Sequence, residues 1–288
     1  MFKSDLVFFP AGKIEDKEIN QIRHEITEFA KLNDINKPIA RHKPHLLIPS
    51  IYNISLKHEI IENVEKFVGN KCMLWYSVLF NKQKKTQSYI PWHYDDYFWN
   101  LKGNGCTVWI ALEDIVEEMG PMQFALDYEI QQYEHQTNDD INNILIRGNI
   151  SNYKPKNEVK IITSYLKKGE YSIHSNKVMH RSGYNKSNKD RLAFALRYID
   201  LSSIPESFKI IKRGIVTKNK ITKYYYLEKA PDKVTKILGN KDHLKSFFTS
   251  LLITFFGDKK KTINKKINDF FRFIFSRKML IYFSKNKK

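Results

Sequence analysis

The chain is poor in cysteine and in long apolar runs. Its 288 residues include two cysteines, Cys72 and Cys106, which form no CxxC pair and no disulfide framework typical of secreted domains. A reducing compartment is therefore expected. The apolar run at residues 6–9 is too short for a signal peptide, and no run approaches the ~20 residues that cross a bilayer. These absences predict a cytoplasmic protein.

Acidic residues are scarce in the last third of the chain. Residues 201–288 contain 22 Lys/Arg and 6 Asp/Glu, a net charge of +16, which is nearly all of the +18 of the whole chain. Apolar residues make up 42% and aromatic residues 14%, which is enough for a packed core and excludes a disordered chain. We predict a near-neutral domain at 1–205 and a basic, aromatic-rich helical extension at 206–288.

Two amphipathic helices are predicted before residue 70. Apolar residues recur every three to four positions over 14–33 and over 56–68, where Gly69 ends the pattern. Residues 10–12 are expected to form a turn. Residues 37–53 show no clear period and are interpreted as a loop.

Short β-rich segments replace the helical pattern from residue 72 onwards. Gly-containing turns separate them, a polar, Asn-rich stretch at 131–156 is interpreted as an irregular insertion, and no parallel βαβ rhythm is visible. The predicted strands are 73–80, 106–112, 159–166, 171–174 and 191–199. This arrangement favours a mainly β fold, an antiparallel sandwich or jelly roll with a core at about 72–200.

The hexapeptide at 91–96 places His93 and Asp95 two positions apart. If this stretch is extended, both side chains point to the same face. An imidazole and a carboxylate are two of the three ligands of the 2-His-1-carboxylate site for non-haem Fe(II). Asp96, on the other face, is the alternative carboxylate. The pair alone is a weak signal, because surface histidines near aspartates are common.

A second stretch supplies a candidate third ligand, His180, with His174 as the alternative. Ser182 follows two residues later, and Arg191 begins the last predicted strand. An arginine there can present a planar fork to a carboxylate, and the serine can add a hydroxyl donor. Five other histidines are interpreted as surface or structural residues: His42, His45, His58, His135 and His243. Three aromatic residues near the motif are assigned either to a substrate wall or to the core: Trp92, Tyr97 and Trp99.

Together these motifs resemble the phytanoyl-CoA dioxygenase family, and the likeness runs from the N-terminal helix to about residue 200. Residues 108–114 and 118–122 are also similar to the family's strand and turn after the first ligands. The resemblance implies a double-stranded β-helix that uses Fe(II), 2-oxoglutarate and O2. It implies that iron is bound by His93, Asp95 and His180, and that the distal carboxylate of 2-oxoglutarate is bound by Arg191 and Ser182, with Trp109 lining that site.

Two features bear on the reaction. Residues 124–127 replace the Gly-Ser-His that the family often has, so substrate contacts do not carry over. Some relatives have alanine in place of the carboxylate and bind halide there. Asp95 therefore favours a hydroxylase, which would oxidise an unactivated C–H bond of a small molecule and release succinate and CO2.

The basic extension allows two interpretations. Apolar stripes at 244–255 and 263–281 flank the lysines at 259–261. They indicate either a helical cap packed on the domain or a pair of amphipathic helices within 240–288 that contact the inner face of a membrane. The alternative function is a non-catalytic jelly roll that docks on a membrane or on nucleic acid. No recognised nucleic-acid-binding module accompanies the charge, and the sequence does not indicate an oligomeric state.

Overall fold

The computed structural model describes residues 1–99, 103–127, 140–145, 150, 153–156, 158–200, 213–216, 226–227 and 229–247. Within these ranges the strands are β1 (Phe2–Lys3), β2 (Val7–Lys13), β3 (Cys72–Lys82), β4 (Ile90–His93), β5 (Gly105–Ala111), β6 (Met122–Ala125), β7 (Ile161–Ser164), β8 (Glu170–Ser175), β9 (Met179–Ser182), β10 (Arg191–Asp200), β11 (Arg213–Val216) and β12 (Tyr226–Leu227). The helices are α1 (Asp16–Leu32), α2 (Pro38–Arg41), α3 (Pro49–Ser55), α4 (His58–Val68) and α5 (Asp96–Trp99), with 3-10 turns at Pro44–Leu46, Glu117–Met119 and Ile237–Gly239.

The strands form two sheets that pack face to face. The larger has the order β1-β2-β8-β5-β10-β3-β11-β12, and the smaller β4-β9-β6-β7. All neighbours are antiparallel except the short β11–β12 pair. The architecture is the predicted jelly roll.

Side chains of β10 alternate between two hydrophobic cores, one on each face of the large sheet. Phe194 and Leu196 pack with the helical layer of α1, α3 and α4. Ala193 and Ala195 face the small sheet and pack with Phe124 of β6. Because side chains alternate along a strand, Arg191 belongs with the two alanines on the face between the sheets. The functional side chains therefore lie inside the jelly roll, and the helices support it from behind.

Several local predictions were wrong. Residues 37–53 contain α2, a 3-10 turn and part of α3 rather than a loop. Residues 10–12 continue β2 instead of turning, and the register of β2 with β8 shifts between Phe8 and Gly12. A bulge there tolerates Pro10, which lacks a ladder donor. The strands β6 and β9 were not predicted, and β11 and β12 lie in the extension that was expected to be helical. The predicted insertion at 131–156 lies largely outside the described residues.

Three parts of the extension are described: β11 pairs with β3 of the large sheet, β12 pairs with β11, and residues 229–247 pack on the N-terminal layer. The Ile237 amide donates to Asn33 Oδ1 at 2.9 Å, and Asn240 Nδ2 donates to the Leu46 carbonyl at 3.0 Å. Residues 241–247 are helical, and the side chains of His243 and Phe247 are buried against His42. Residues 229–247 therefore form a packed cap. The rest of the predicted stripes, 248–288, lies outside the described residues.

Candidate metal centre

Two histidines meet across the small sheet. His93 is the last residue of β4 and pairs in register with His180 of β9. Side chains directly opposite each other on antiparallel strands are neighbours, and the two rings have centroids 4.0 Å apart. Residues 87 positions apart in sequence are thus brought together by strand register.

Backbone hydrogen bonds fix both rings in the same way. His93 Nδ1 lies 2.9 Å from the Pro91 carbonyl oxygen, and His180 Nδ1 lies 3.0 Å from that of Val178. A carbonyl only accepts, so each Nδ1 carries the proton and donates it. Each Nε2 is then left with a lone pair for a metal ion.

Asp95 completes the cluster from a turn rather than from a strand. β4 ends at His93 and α5 begins at Asp96, so the extended conformation assumed for 93–95 is wrong in detail. The side chains still converge, since one potential ligand atom each from His93, Asp95 and His180 lie within 4.8 Å of one another. All three residues are buried.

The two oxygens of Asp95 are held by a cross-strand pair of the large sheet. Thr107 Oγ1 donates to Oδ2 at 3.0 Å, and Arg197 Nη2 donates to Oδ1 at 3.2 Å. Thr107 and Arg197 stand opposite each other on β5 and β10. Arg197 also lies over the rings of Tyr76 and Trp99, at 5.6 and 5.5 Å. The carboxylate is therefore oriented before any ligand binds.

Charge favours a cation at this point. Burial would raise the pKa of Asp95, but the Arg197 guanidinium and the neighbouring histidines hold it well below its usual range. Burial lowers the pKa of His180, which keeps the ring neutral at physiological pH. An ionised carboxylate beside two imidazoles is the donor set that suits Fe(II).

The two alternative ligands, Asp96 and His174, are not part of the cluster. Asp96 accepts a hydrogen bond from Asn176 Nδ2 at 2.7 Å and is partly exposed. His174 is buried with its ring centroid 4.8 Å from that of His180, and neither nitrogen has a hydrogen-bond partner among the described residues. His42 and His243 are structural, because they hold the cap described above.

A basic site lies at the start of β10. Arg191 is 1% exposed, its Nη1 donates to the Gly120 carbonyl, and its guanidinium lies 5.6 Å from the Trp109 ring centroid. Its Nε has no partner, and no carboxylate of the described ranges forms an ion pair with it. Burial lowers its pKa to about 10, so it stays charged at neutral pH. A buried cation with an unused donor fits an anionic ligand such as a carboxylate.

Three side chains at these sites were missed by sequence analysis: Lys82, Thr107 and Arg197. Lys82 is the last residue of β3 and stands opposite Arg191, where it donates to Ser182. Only strand register reveals these partners. A partial signal exists on β10, since Arg191 and Arg197 are six apart and an even spacing places both on one face of a strand.

Solved structures similar to this chain include several non-haem enzymes. An apo structure titled "non-heme monooxygenase; ThoJ" aligns over 92% of this chain and 95% of that one, at 19% identity and a TM-score of 0.68. The epimerase SnoN, in complex with Fe3+, alpha ketoglutarate and nogalamycin RO, aligns over 76% and 87%, at 16% identity and a TM-score of 0.53. At such low identity these likenesses show the shared fold.

Family membership comes from the sequence. No curated protein matches the chain significantly. The profile described as phytanoyl-CoA dioxygenase (PhyH), however, matches residues 7–193. The matched residues include all three members of the cluster, His93, Asp95 and His180, as well as Arg191. The match covers more than half of the chain, and the chain therefore belongs to the phytanoyl-CoA dioxygenase family, whose members are oxygenases that use Fe(II), 2-oxoglutarate and O2.

Proposed function

We propose that this oxygenase hydroxylates an unactivated C–H bond of a small molecule, with Fe(II) held by His93, Asp95 and His180. The observation that carries the proposal is the convergence of these three buried donors within 4.8 Å. When bound, iron and 2-oxoglutarate supply the oxidising chemistry with O2, and succinate and CO2 are released. The protein supplies the ligands, their orientation and a site shielded from water.

The ligands have separate tasks in this proposal. His93 and His180 offer Nε2, because their Nδ1 protons are committed to backbone carbonyls. Asp95 offers one oxygen while Thr107 and Arg197 restrain the carboxylate. A ligand set fixed in this way lowers the cost of ordering the site when substrate and co-substrate arrive.

The co-substrate would be held at its far end. Arg191 offers its unused Nε–H to the distal carboxylate, Ser182 lies on the same strand as His180, and Trp109 covers the guanidinium. The site lies on the face between the sheets, where water is scarce and a charged pair is strong. The 2-oxo acid end would then point towards the histidine cluster.

Hydroxylation is favoured over other outcomes by Asp95. A carboxylate at this position leaves no vacancy for a halide, as proposed from the sequence. Neighbours titled as a monooxygenase, an epimerase and a carbocyclase share the fold, so the fold itself does not select the outcome. The mass of the product distinguishes these reactions. Hydroxylation adds one oxygen atom, epimerisation leaves the mass unchanged, and ring closure removes two hydrogen atoms.

Mixing the protein with Fe(II) and 2-oxoglutarate in the absence of oxygen tests the metal site. We expect a visible charge-transfer band in the wild-type protein and none in His93→Ala, because the chelate forms only at an intact site. His58→Ala is the matched control, since that side chain is 82% exposed and far in sequence from the cluster. A band that survives His93→Ala would show that iron binds elsewhere. A metabolite panel scored by succinate release and product mass then identifies the substrate.

We further propose that residues 206–288 form an extension of the oxygenase domain, and that its part beyond the packed cap contacts a membrane surface. The high positive charge and the apolar stripe at 263–281 support this. No helix in the described ranges is long and apolar enough to span a membrane. A surface contact would favour a lipophilic substrate.

Reversing three charges tests the membrane contact. Replacing the lysines at 259–261 with glutamate should weaken sedimentation with anionic liposomes by at least about 100-fold, since each lysine near such a surface contributes about 1 kcal/mol. The variant should keep wild-type turnover of a water-soluble substrate. Equal binding of the two proteins, or equal binding to neutral liposomes, would reject the contact.

A further inference from the structure

The C-terminal cap is anchored on one residue of the N-terminal layer, His42. His243 Nε2 donates a hydrogen bond to the His42 carbonyl at 2.6 Å. The rings of His243 and Phe247 stand edge-on to the His42 imidazole, with centroids 5.5 and 5.2 Å away. All three side chains are buried. His42 is therefore held by cap residues that lie beyond the 7–193 range matched by the family profile.

The imidazole of His42 also reaches the large sheet. Its Nδ1 lies 2.8 Å from the Tyr76 hydroxyl, and the two rings meet edge to face with centroids 4.9 Å apart. An isolated antiparallel bridge pairs His42 with Val78, so its backbone is fixed against β3 as well. Burial lowers the pKa of His42 well below its usual range, which makes the contact with Tyr76 a hydrogen bond between two uncharged groups.

Tyr76 stands between His42 and the arginine that orients Asp95. It lies opposite Arg197 in the register of β3 with β10. The Arg197 guanidinium lies 5.6 Å from the Tyr76 ring centroid and 5.5 Å from that of Trp99. Its Nη2 donates to Asp95, and its Nε has no partner among the described residues. Two rings and one carboxylate thus hold the guanidinium, and a shift of the Tyr76 ring would move it.

We propose that the C-terminal cap positions the carboxylate ligand of the metal centre, acting through His42, Tyr76 and Arg197. Tyr76 and His42 are positioning residues, since neither belongs to the donor cluster. Asp95 as an iron ligand is part of the proposed function, on which this inference rests. Energetic coupling between distant sites is carried by packed side chains and hydrogen bonds of this kind. Loosening the cap should therefore lower the affinity for Fe(II) although no ligand is changed.

A double-mutant cycle on the full-length protein tests the coupling. Tyr76→Phe removes the hydroxyl that meets His42, and His243→Leu removes the hydrogen bond to the His42 carbonyl while keeping an apolar side chain in the cap. Each variant should weaken Fe(II) binding by about 3–10-fold, measured without oxygen by competition with a chelator. The double variant should bind no more weakly than the weaker single variant, because both changes break the same chain of contacts.

Tyr198→Phe is the matched control. Tyr198 follows Arg197 on β10 but packs with the helical layer, and its hydroxyl donates to the Ser55 carbonyl at 2.6 Å. This variant also loses a buried hydroxyl contact, so its Tm should fall about as far as that of Tyr76→Phe. Its affinity for Fe(II) should stay within about twofold of the wild type. An affinity that follows Tm in all of these variants would show that the contacts serve stability alone and would overturn the inference.

The remaining outcomes separate the inference from the proposed metal site. Wild-type Fe(II) affinity in both single variants, or effects that multiply in the double variant, overturns the coupling and leaves the metal site intact. Fe(II) binding that survives His93→Ala overturns the metal site and the coupling with it. If His243→Leu does not fold, Phe247→Leu takes its place in the cycle, because it removes the ring that packs on His42 and keeps an apolar contact.

Discussion

Asp95→Asn should reduce substrate-dependent succinate release by at least about 10³-fold, which corresponds to about 4 kcal/mol of transition-state free energy. Asp95 is the anion among three candidate ligands, and its carboxylate is kept ionised by Arg197 despite complete burial. An amide oxygen is neutral and one of its two positions becomes an NH2 group, which would face either the iron or the guanidinium. The affinity for Fe(II), measured by competition with a chelator, should fall together with turnover.

Thr107→Val is the graded control for this result. It removes the hydrogen bond to Oδ2 of Asp95 and keeps the carboxylate, so its effect should stay within the roughly 10–100-fold that a residue supporting a metal ligand contributes. The two variants together separate loss of the ligand from loss of its orientation. If Asp95→Asn keeps iron and more than a tenth of the wild-type turnover, the carboxylate ligand is another residue, and Asp96 is the first to examine.

The sequence predicted the parts of the fold whose pattern is long enough to repeat. Both long helices and the strands β3, β5, β8 and β10 lie where the sequence pattern places them, whereas β11 and β12 lie in the extension that was expected to be helical. The helical elements at 37–53 were not predicted because they are three to seven residues long and do not complete the two turns that a visible period requires. Each of these elements begins at a proline, at 38, 44 or 49. Proline is common at the first position of a helix, so these prolines are the sequence feature that could have predicted the elements.

The residues of the site were also predicted only in part. His93, Asp95 and His180 were found from local spacing and a family likeness, and the structure brings them together. Their neighbours Thr107, Arg197 and Lys82 stand on other strands, and they meet the site through the registers of β10 with β5 and β3. Register depends on the packing of whole sheets, so a single sequence does not reveal it. The assumption that 93–95 is extended was wrong for a related reason, since the Asp96 amide bonds to the Asn176 carbonyl and starts α5.

Gly120→Ala should damage stability and co-substrate binding together. Gly120 has φ +63, and a Cβ there would overlap the backbone carbonyl oxygens of Gly183 and Tyr184. The left-handed conformation and the overlap together should cost about 3 kcal/mol and lower Tm by roughly 6–12 °C. The Gly120 carbonyl accepts a hydrogen bond from Arg191, and Gly183 accepts one from Lys82. Pushing these two segments apart should therefore displace Arg191 and weaken 2-oxoglutarate binding by at least about tenfold.

Gly69→Ala separates these effects, because Gly69 also has a positive φ, +86, but its Cβ would meet no atom within 4 Å. It ends α4, away from the site, and its φ +86 and ψ 175 are a combination essentially confined to glycine, so the substitution should cost roughly 1–3 kcal/mol. Thermal unfolding and calorimetric titration with 2-oxoglutarate should then show a modest loss of Tm and unchanged binding. If Gly120→Ala lowers Tm but binds 2-oxoglutarate as Gly69→Ala does, the contact between the Gly120 and Gly183 segments supports the fold alone. A loss of binding confined to Gly120→Ala ties that contact to the position of Arg191.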